Sequence, residues 1–217
     1  MSRLLWPELG EDDAAAGWLP EPGAGYKAAD VIGALERKHA DFGGADWKTP
    51  AAWAVVREVQ ERTGVYGDAQ RFDVVAIGLV PSVKYARIIY EVKVSRADWL
   101  RELKLVVDVI HRTGHKLSSH LAHRVNSDEL IAAGYTVNHR TKWASALALS
   151  TEFYFAAPPR CILPSEVPEG CGLVEVRPWG AEREMRCRVV VKAPVRDTPN
   201  PGPEFWAAVV RRAATHR

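Results

Sequence analysis

The chain has 217 residues, 47% of them hydrophobic and 26% charged, with a formal net charge of +2. That length and balance point to one substantial globular domain and exclude both wholesale disorder and a uniformly basic nucleic-acid coat. No apolar run is long enough for a membrane span, and residues 1–13 lack a signal-peptide core; the three cysteines, with no CxxC pair, read as reduced thiols of a cytoplasmic chain.

In chain order, residues 1–25 are rich in Ala, Gly, Pro and acids and read as a flexible leader, with 26–217 as a single α/β domain. Val31, Ile32, Leu35 and His39 recur at helical spacing, with Asp30 in the first turn. The stretch Trp53–Gln60 is ambiguous between helix and strand, but Trp53, Val55, Val59 and the Thr63-Gly64 pair after it favour a strand. Residues 71–94, "RFDVVAIGLVPSVKYARIIYEVKV", hold two β-rich runs about a Pro-Ser loop and predict an antiparallel hairpin. Ser95 with Asp98 three residues on is a helix-start signal, and the helix it opens is expected to bury Trp99, Leu100 and Leu103. A His-rich insertion follows at about 105–139. "KWASALALS" (142–150) predicts a helix, "EFYFAAP", "CGLVEV" and "RCRVVVKAPV" predict strands, and a last helix starts at Pro203 with Phe205, Val209 and Val210 inward. That order describes a mixed β-sheet flanked by helices.

The hairpin carries the chemistry. Alternation along its second strand places Glu91 and Lys93 on one face and Tyr90, Val92 and Val94 on the other. With the turn centred near Val83, Asp73 on the first strand faces Lys93 and lies diagonal to Glu91. The flanking Phe72, Val74, Val75, Ile77, Ile88 and Ile89 make both faces apolar, as in a sheet covered on both sides. Two carboxylates held close in apolar surroundings repel each other and are poorly solvated, so they call for a cation. Magnesium or manganese, taking oxygen ligands from Asp73 and Glu91 and leaving sites for water and phosphate, answers that need. Lys93 beside it would orient or help deprotonate a metal-bound water, or offset charge building on a phosphate under attack, a set of parts suited to phosphodiester hydrolysis.

Asp73 followed after a hairpin by Glu91-Val92-Lys93 resembles the D…(D/E)-x-K signature of the PD-(D/E)xK nuclease superfamily. More narrowly, "RFDVVAIGL", "YEVKVSRADWLRELK" and the run "KWASALALSTEFYFAAPPRCILPSEVPEGCGLVEV" resemble the MmcB-like DNA repair proteins and their phage relatives, over roughly residues 50–104 and 140–215. The resemblance implies a restriction-endonuclease-like fold, DNA as partner, a role in DNA repair or phage DNA processing, and Asp73, Glu91 and Lys93 as active-site positions. Phe72 stands where the superfamily's name has proline, and residues 105–139 exceed the family's connector. A further acid, common in such nucleases, is supplied by Glu58 or by Glu36, with Glu58 favoured by its setting in "REVQERTG".

Other readings compete. The charged hairpin residues could form a structural salt bridge, and a fold-retaining DNA-binding accessory protein that does not cut is the alternative function. His111 and His115, with His120 and His123, have zinc-like spacing but no acid or cysteine completes the set, and Cys161 with Cys171 likewise lacks partners. Trp99 and Trp143 read as core. Lys84, Arg87, Arg96, Arg101, Lys104, Arg140 and Lys142 form a basic set; around a nuclease site Arg96, Lys104, Arg140 and Lys142 would bind DNA phosphates. The sequence sets no oligomeric state, and a homodimer is compatible with it.

Overall fold

A computed structural model describes residues 25–40, 51–61, 70–103, 106–111, 132–133, 135–140 and 143–215. The leader and most of the His-rich insertion lie outside the described residues. The helices are α1 (Ala28–Ala40), α2 (Arg96–Glu102), α3 (Ala144–Leu149) and α4 (Pro203–Thr215). The strands are β1 (Trp53–Gln60), β2 (Arg71–Gly78), β3 (Arg87–Val92), β4 (Val106–His111), β5 (Tyr135–Arg140), β6 (Glu152–Ala157), β7 (Gly172–Trp179) and β8 (Glu184–Val191).

Six strands form one mixed sheet in the order β1-β2-β3-β6-β7-β8. The β1-β2-β3 part is an antiparallel meander, β6 and β7 lie parallel to β3, and β8 returns antiparallel at the far edge. A parallel neighbour requires a crossover. Between β3 and β6 that crossover holds α2, α3 and the β4–β5 pair, whose antiparallel ladder runs from Val106↔Arg140 to His111↔Tyr135 in a sheet of its own. The strands thus occupy the two ends of the predicted insertion.

Helices cover both faces, which is why the central strands are largely apolar on both sides. On one face Val74, Ala76, Ile88, Tyr90, Tyr154 and Val174 pack under Val31, Ala34 and Leu35 of α1. On the other, Val75, Ile77, Ile89, Phe153, Phe155 and Leu173 meet Trp99 of α2, Ala146 of α3, and Phe205, Ala208 and Val209 of α4. Trp99 and Trp143 are core residues, each edge-on to Phe155.

Three expectations need correction. The hairpin closes through a 3-10 turn at Pro81–Val83 and two left-handed residues, Lys84 and Tyr85. The pairs Val74↔Tyr90 to Ile77↔Arg87 centre this turn on Ser82 rather than Val83, so the register, continued, sets Asp73 opposite Glu91 and Lys93 on the diagonal. In α2, Leu100 and Leu103 are exposed and Glu102 is buried beside Trp99. In α4 the inward set is Phe205, Ala208 and Val209, at i, i+3 and i+4, and Val210 is exposed.

One glycine is fixed by packing. A Cβ on Gly172, which pairs with Tyr154, would stand 2.3 Å from the buried Tyr154 ring and 2.7 Å from the Ala193 nitrogen. Gly172→Ala is therefore expected to lower unfolding free energy by about 1–3 kcal/mol, as overpacking does. Urea titration reads it; an unchanged midpoint would show that the strand relaxes freely.

Candidate active site

The site begins with a break in the sheet. Along β2, Val75 and Ile77 belong to the α2–α4 face and Val74 and Ala76 to the α1 face, yet Phe72 joins Val75 rather than Val74. Along β1, Val56 and Val59 likewise both face α4, with Glu58 between them at φ +50°. Strict alternation thus slips by one residue in both strands at the level of Asp73, while the β1–β2 register is the same on either side. Beyond it the β2–β3 ladder no longer supplies a backbone acceptor. Asp73 does instead: the Val92 N–H donates to its Oδ2 at 2.7 Å.

From there β3 turns into α2. The Lys93 N–H still donates across to Ala156 of β6 at 2.9 Å, and Ser95 then caps the helix by accepting from the Asp98 N–H at 3.1 Å. The cap sets the helix phase, so Trp99 drives into the core against Phe155, with ring centroids 4.8 Å apart. Glu102, three residues on, lies on that same face. Its carboxylate meets the Lys93 ammonium at 2.8 Å, and Glu91 Oε1 meets the same ammonium at 2.8 Å. Lys93 is 5% exposed and Glu102 7%.

Two carboxylates therefore share one ammonium, and a third, Asp73, lies near enough to feel its charge. Burial pushes the Glu91 carboxyl up to about 7, the Asp73 charge adds to this, and Lys93 opposes it. Burial also raises Asp73, against the pull of the Val92 N–H and Lys93. For Lys93 burial favours the neutral amine, but Glu91 and Glu102 outweigh it and hold the ammonium above its ordinary range. Lys93 is thus a fixed cation, not a proton acceptor at neutral pH.

Asp73 and Glu91 can offer oxygen ligands from adjacent strands, and excess negative charge with a destabilised carboxylate is the setting a divalent cation relieves. Among the described residues no group of three or more His, Cys, Asp or Glu is placed to hold a metal. Magnesium is commonly held by one or two carboxylates with water and substrate phosphate completing the shell, so this pair fits that mode of binding.

The structure brings Asp73, Glu91 and Lys93 together. Glu58 instead pairs with Arg212 of α4, and Glu36 pairs with Arg57. Arg96 is engaged by Glu166, Arg101 by Asp98, and Arg87 by the carbonyls of Leu149, Thr198 and Pro199. Lys104, Lys142, His115, His120 and His123 lie outside the described residues, and Arg140 and His111 are placed by backbone alone. Cys161, Cys171 and Cys187 are free, their thiols pushed up to about 11, 12 and 11 by burial. The residue that sequence reading missed is Glu102, although the Ser95 cap and the i, i+3 spacing from Trp99 already point it inward.

No protein-family model matches the chain, and no curated protein matches it. Among solved structures it is similar to the SPO1766 protein of unknown function from Silicibacter pomeroyi, at 17% identity and a TM-score of 0.44, over 91% of this chain and 88% of that one.

The raised Glu91 carboxyl has a sign that can be checked. Folded protein binds this proton more tightly than unfolded chain, so the contribution is stabilising below about pH 4.5 and is lost as pH rises through about 7. Glu91→Gln, measured in EDTA, should accordingly raise the melting temperature at pH 8 and flatten its fall between pH 5 and 8. A lower melting temperature at pH 8 would mean that the Glu91–Lys93 pair outweighs the repulsion.

Proposed function

We propose that the chain is a metal-dependent deoxyribonuclease with a restriction-endonuclease-like core, hydrolysing phosphodiester bonds in DNA repair or phage DNA processing. The observation that carries this reading is the convergence of Asp73, Glu91 and Lys93 where β2 and β3 part, with Lys93 held at 2.8 Å by both Glu91 and Glu102. The strand order supports it: an antiparallel meander delivers Asp73 and the Glu91-Val92-Lys93 segment, and a parallel strand follows after a helical crossover.

Asp73 and Glu91 would hold the magnesium or manganese ion, with Asp73 using carboxylate capacity left over from the Val92 N–H. Bound there, the ion would supply Lewis-acid polarisation of a phosphoryl oxygen. Lys93 would place a fixed positive charge where negative charge grows on the phosphorane-like transition state, a contribution that preorganised cations make without rearranging. Glu102 would act as a positioning residue, fixing the Lys93 rotamer from α2. The burial of the Trp99 and Phe155 rings behind this cluster lowers the local dielectric and strengthens each of these interactions.

Asp73→Asn is the clean test. The asparagine oxygen can still accept from Val92, so the strand end is kept while the charge is removed. Loss of Lys93, by contrast, strands buried carboxylates and would cost about 3 kcal/mol or more. With plasmid and oligonucleotide DNA in magnesium or manganese, wild type should cut and Asp73→Asn should cut at least about 100-fold more slowly, while its melting temperature in EDTA is no lower than that of wild type. DNA binding without cleavage by wild type, in either metal, would favour the accessory-protein reading. Equal cleavage by both proteins would show that the activity comes from elsewhere.

A further inference from the structure

The far edge of the sheet carries a feature that the carboxylate cluster does not use. β6 makes its last pair with β7 at Ala157↔Glu175, but β7 runs on to Trp179 and turns back into β8 at Glu184. Four further residues at about 3.3 Å each make a hairpin that overhangs the sheet by roughly 13 Å. The overhang lies at the end of the sheet where β3 delivers Glu91 and Lys93, because β3, β6 and β7 are parallel.

The two sides of this hairpin differ. Val176, Met185, Cys187 and Val189 join the core beneath α1, and Arg37 of α1 binds the Met185 carbonyl at 3.1 Å, so this side is buttressed. The other side follows the row Glu91, Phe155, Leu173 across the sheet, then continues along β7 and β8. It presents Arg177 directly opposite Arg186, and Arg188 opposite Glu175. Like charges directly across a ladder repel, and here Glu175 beside Arg177 and Arg188, and Glu184 beside Arg186, offset that repulsion while the guanidinium groups stay together on this side. Arg177 is buried, with its guanidinium 5.7 Å from the Trp179 ring centre. Arg186 and Arg188 are exposed, and Arg186 shares Glu184, at 3.2 Å, with Arg37. Residues 175–188 hold four arginines against three glutamates.

We propose that this hairpin is a contact arm for a single DNA strand, with Arg186 and Arg188 on backbone phosphates and Trp179 stacked on an unpaired base. Arg177 reinforces both roles from beneath. The arm stands on the same face as Glu91, with β7 two strands away and β8, which carries Arg186 and Arg188, three strands away, roughly 10 and 14 Å across the sheet, so a strand lying along it leads to the carboxylate cluster. Cations tracking phosphates with an aromatic ring as a stacking platform are what single-strand recognition requires. This assignment rests on the nuclease reading and adds how the substrate is held.

The test is fluorescence anisotropy with a labelled single-stranded oligonucleotide in calcium buffer, its integrity checked on a gel, over a salt series. The variants are Arg186→Ala/Arg188→Ala and Trp179→Ala, with Arg211→Ala as control: it is exposed on α4, which packs against β1 at the opposite edge. The arginine pair should weaken binding about tenfold or more and make the salt slope shallower by about 1.4, since each single-strand phosphate contact contributes about 0.7. Trp179→Ala should weaken binding about tenfold, and Arg211→Ala should match wild type. If wild type binds and the arginine pair binds equally well with the same slope, the arm is overturned while the nuclease reading stands. If wild type binds no oligonucleotide, single-stranded or duplex, the arm and the nuclease reading fall together. Binding of duplex alone overturns the arm and spares the enzyme.

Discussion

The Lys93 ammonium, held between Glu91 and Glu102, is the interaction on which the rest of this site depends. Its two partners come from different elements, the last turn of α2 and the end of β3, so the same contact that orients the lysine also ties the helix to the sheet. Both ion pairs are nearly excluded from water, where loss of the shared ammonium costs far more than at the surface. Trp99 completes the arrangement by seating α2 on Phe155, which leaves Glu102 little freedom to turn away.

The second constraint is the interrupted ladder between β2 and β3. A carboxylate in place of a backbone acceptor would be a poor choice for an ordinary strand, because it brings a charge that burial disfavours. Here it sets Asp73 beside Glu91, whose carboxyl is pushed up to about 7 by burial and by the Asp73 charge. Glu58, at the same level of β1, takes a left-handed backbone conformation and is drawn off to Arg212. The strain and the repulsion both concentrate in one small region, and such concentrations are a mark of functional sites.

Much of this was legible from the residues. The predicted register was off by two residues, an even number, so Asp73, Glu91 and Lys93 still fall together; a slip of one would have separated them. The register was less legible: two non-glycine residues, Lys84 and Tyr85, in left-handed conformation tighten the loop, and nothing in their side chains advertises it. Glu102 was missed for a different reason. An amphipathic reading assigns charged residues outward, and it gave α2 a buried face of Trp99, Leu100 and Leu103. The helix instead turns an acid inward and leaves two leucines in water, which is an ordinary fate for leucine but an informative one for glutamate. The same reading misplaced Val210 in α4. The β7–β8 overhang was invisible in the sequence, since it depends on where β6 stops.

The central claim, that Asp73 and Glu91 hold a divalent cation beside a fixed lysine, is tested most directly by calorimetric titration of manganese at pH 7 in two buffers of different ionisation enthalpy. One site per chain is expected, with net proton release on binding, because burial and the Asp73 charge raise the Glu91 carboxyl and it must ionise to bind. The same titration of Asp73→Asn should give no site. Absence of binding by the wild-type protein, or equal binding by Asp73→Asn, would contradict the account.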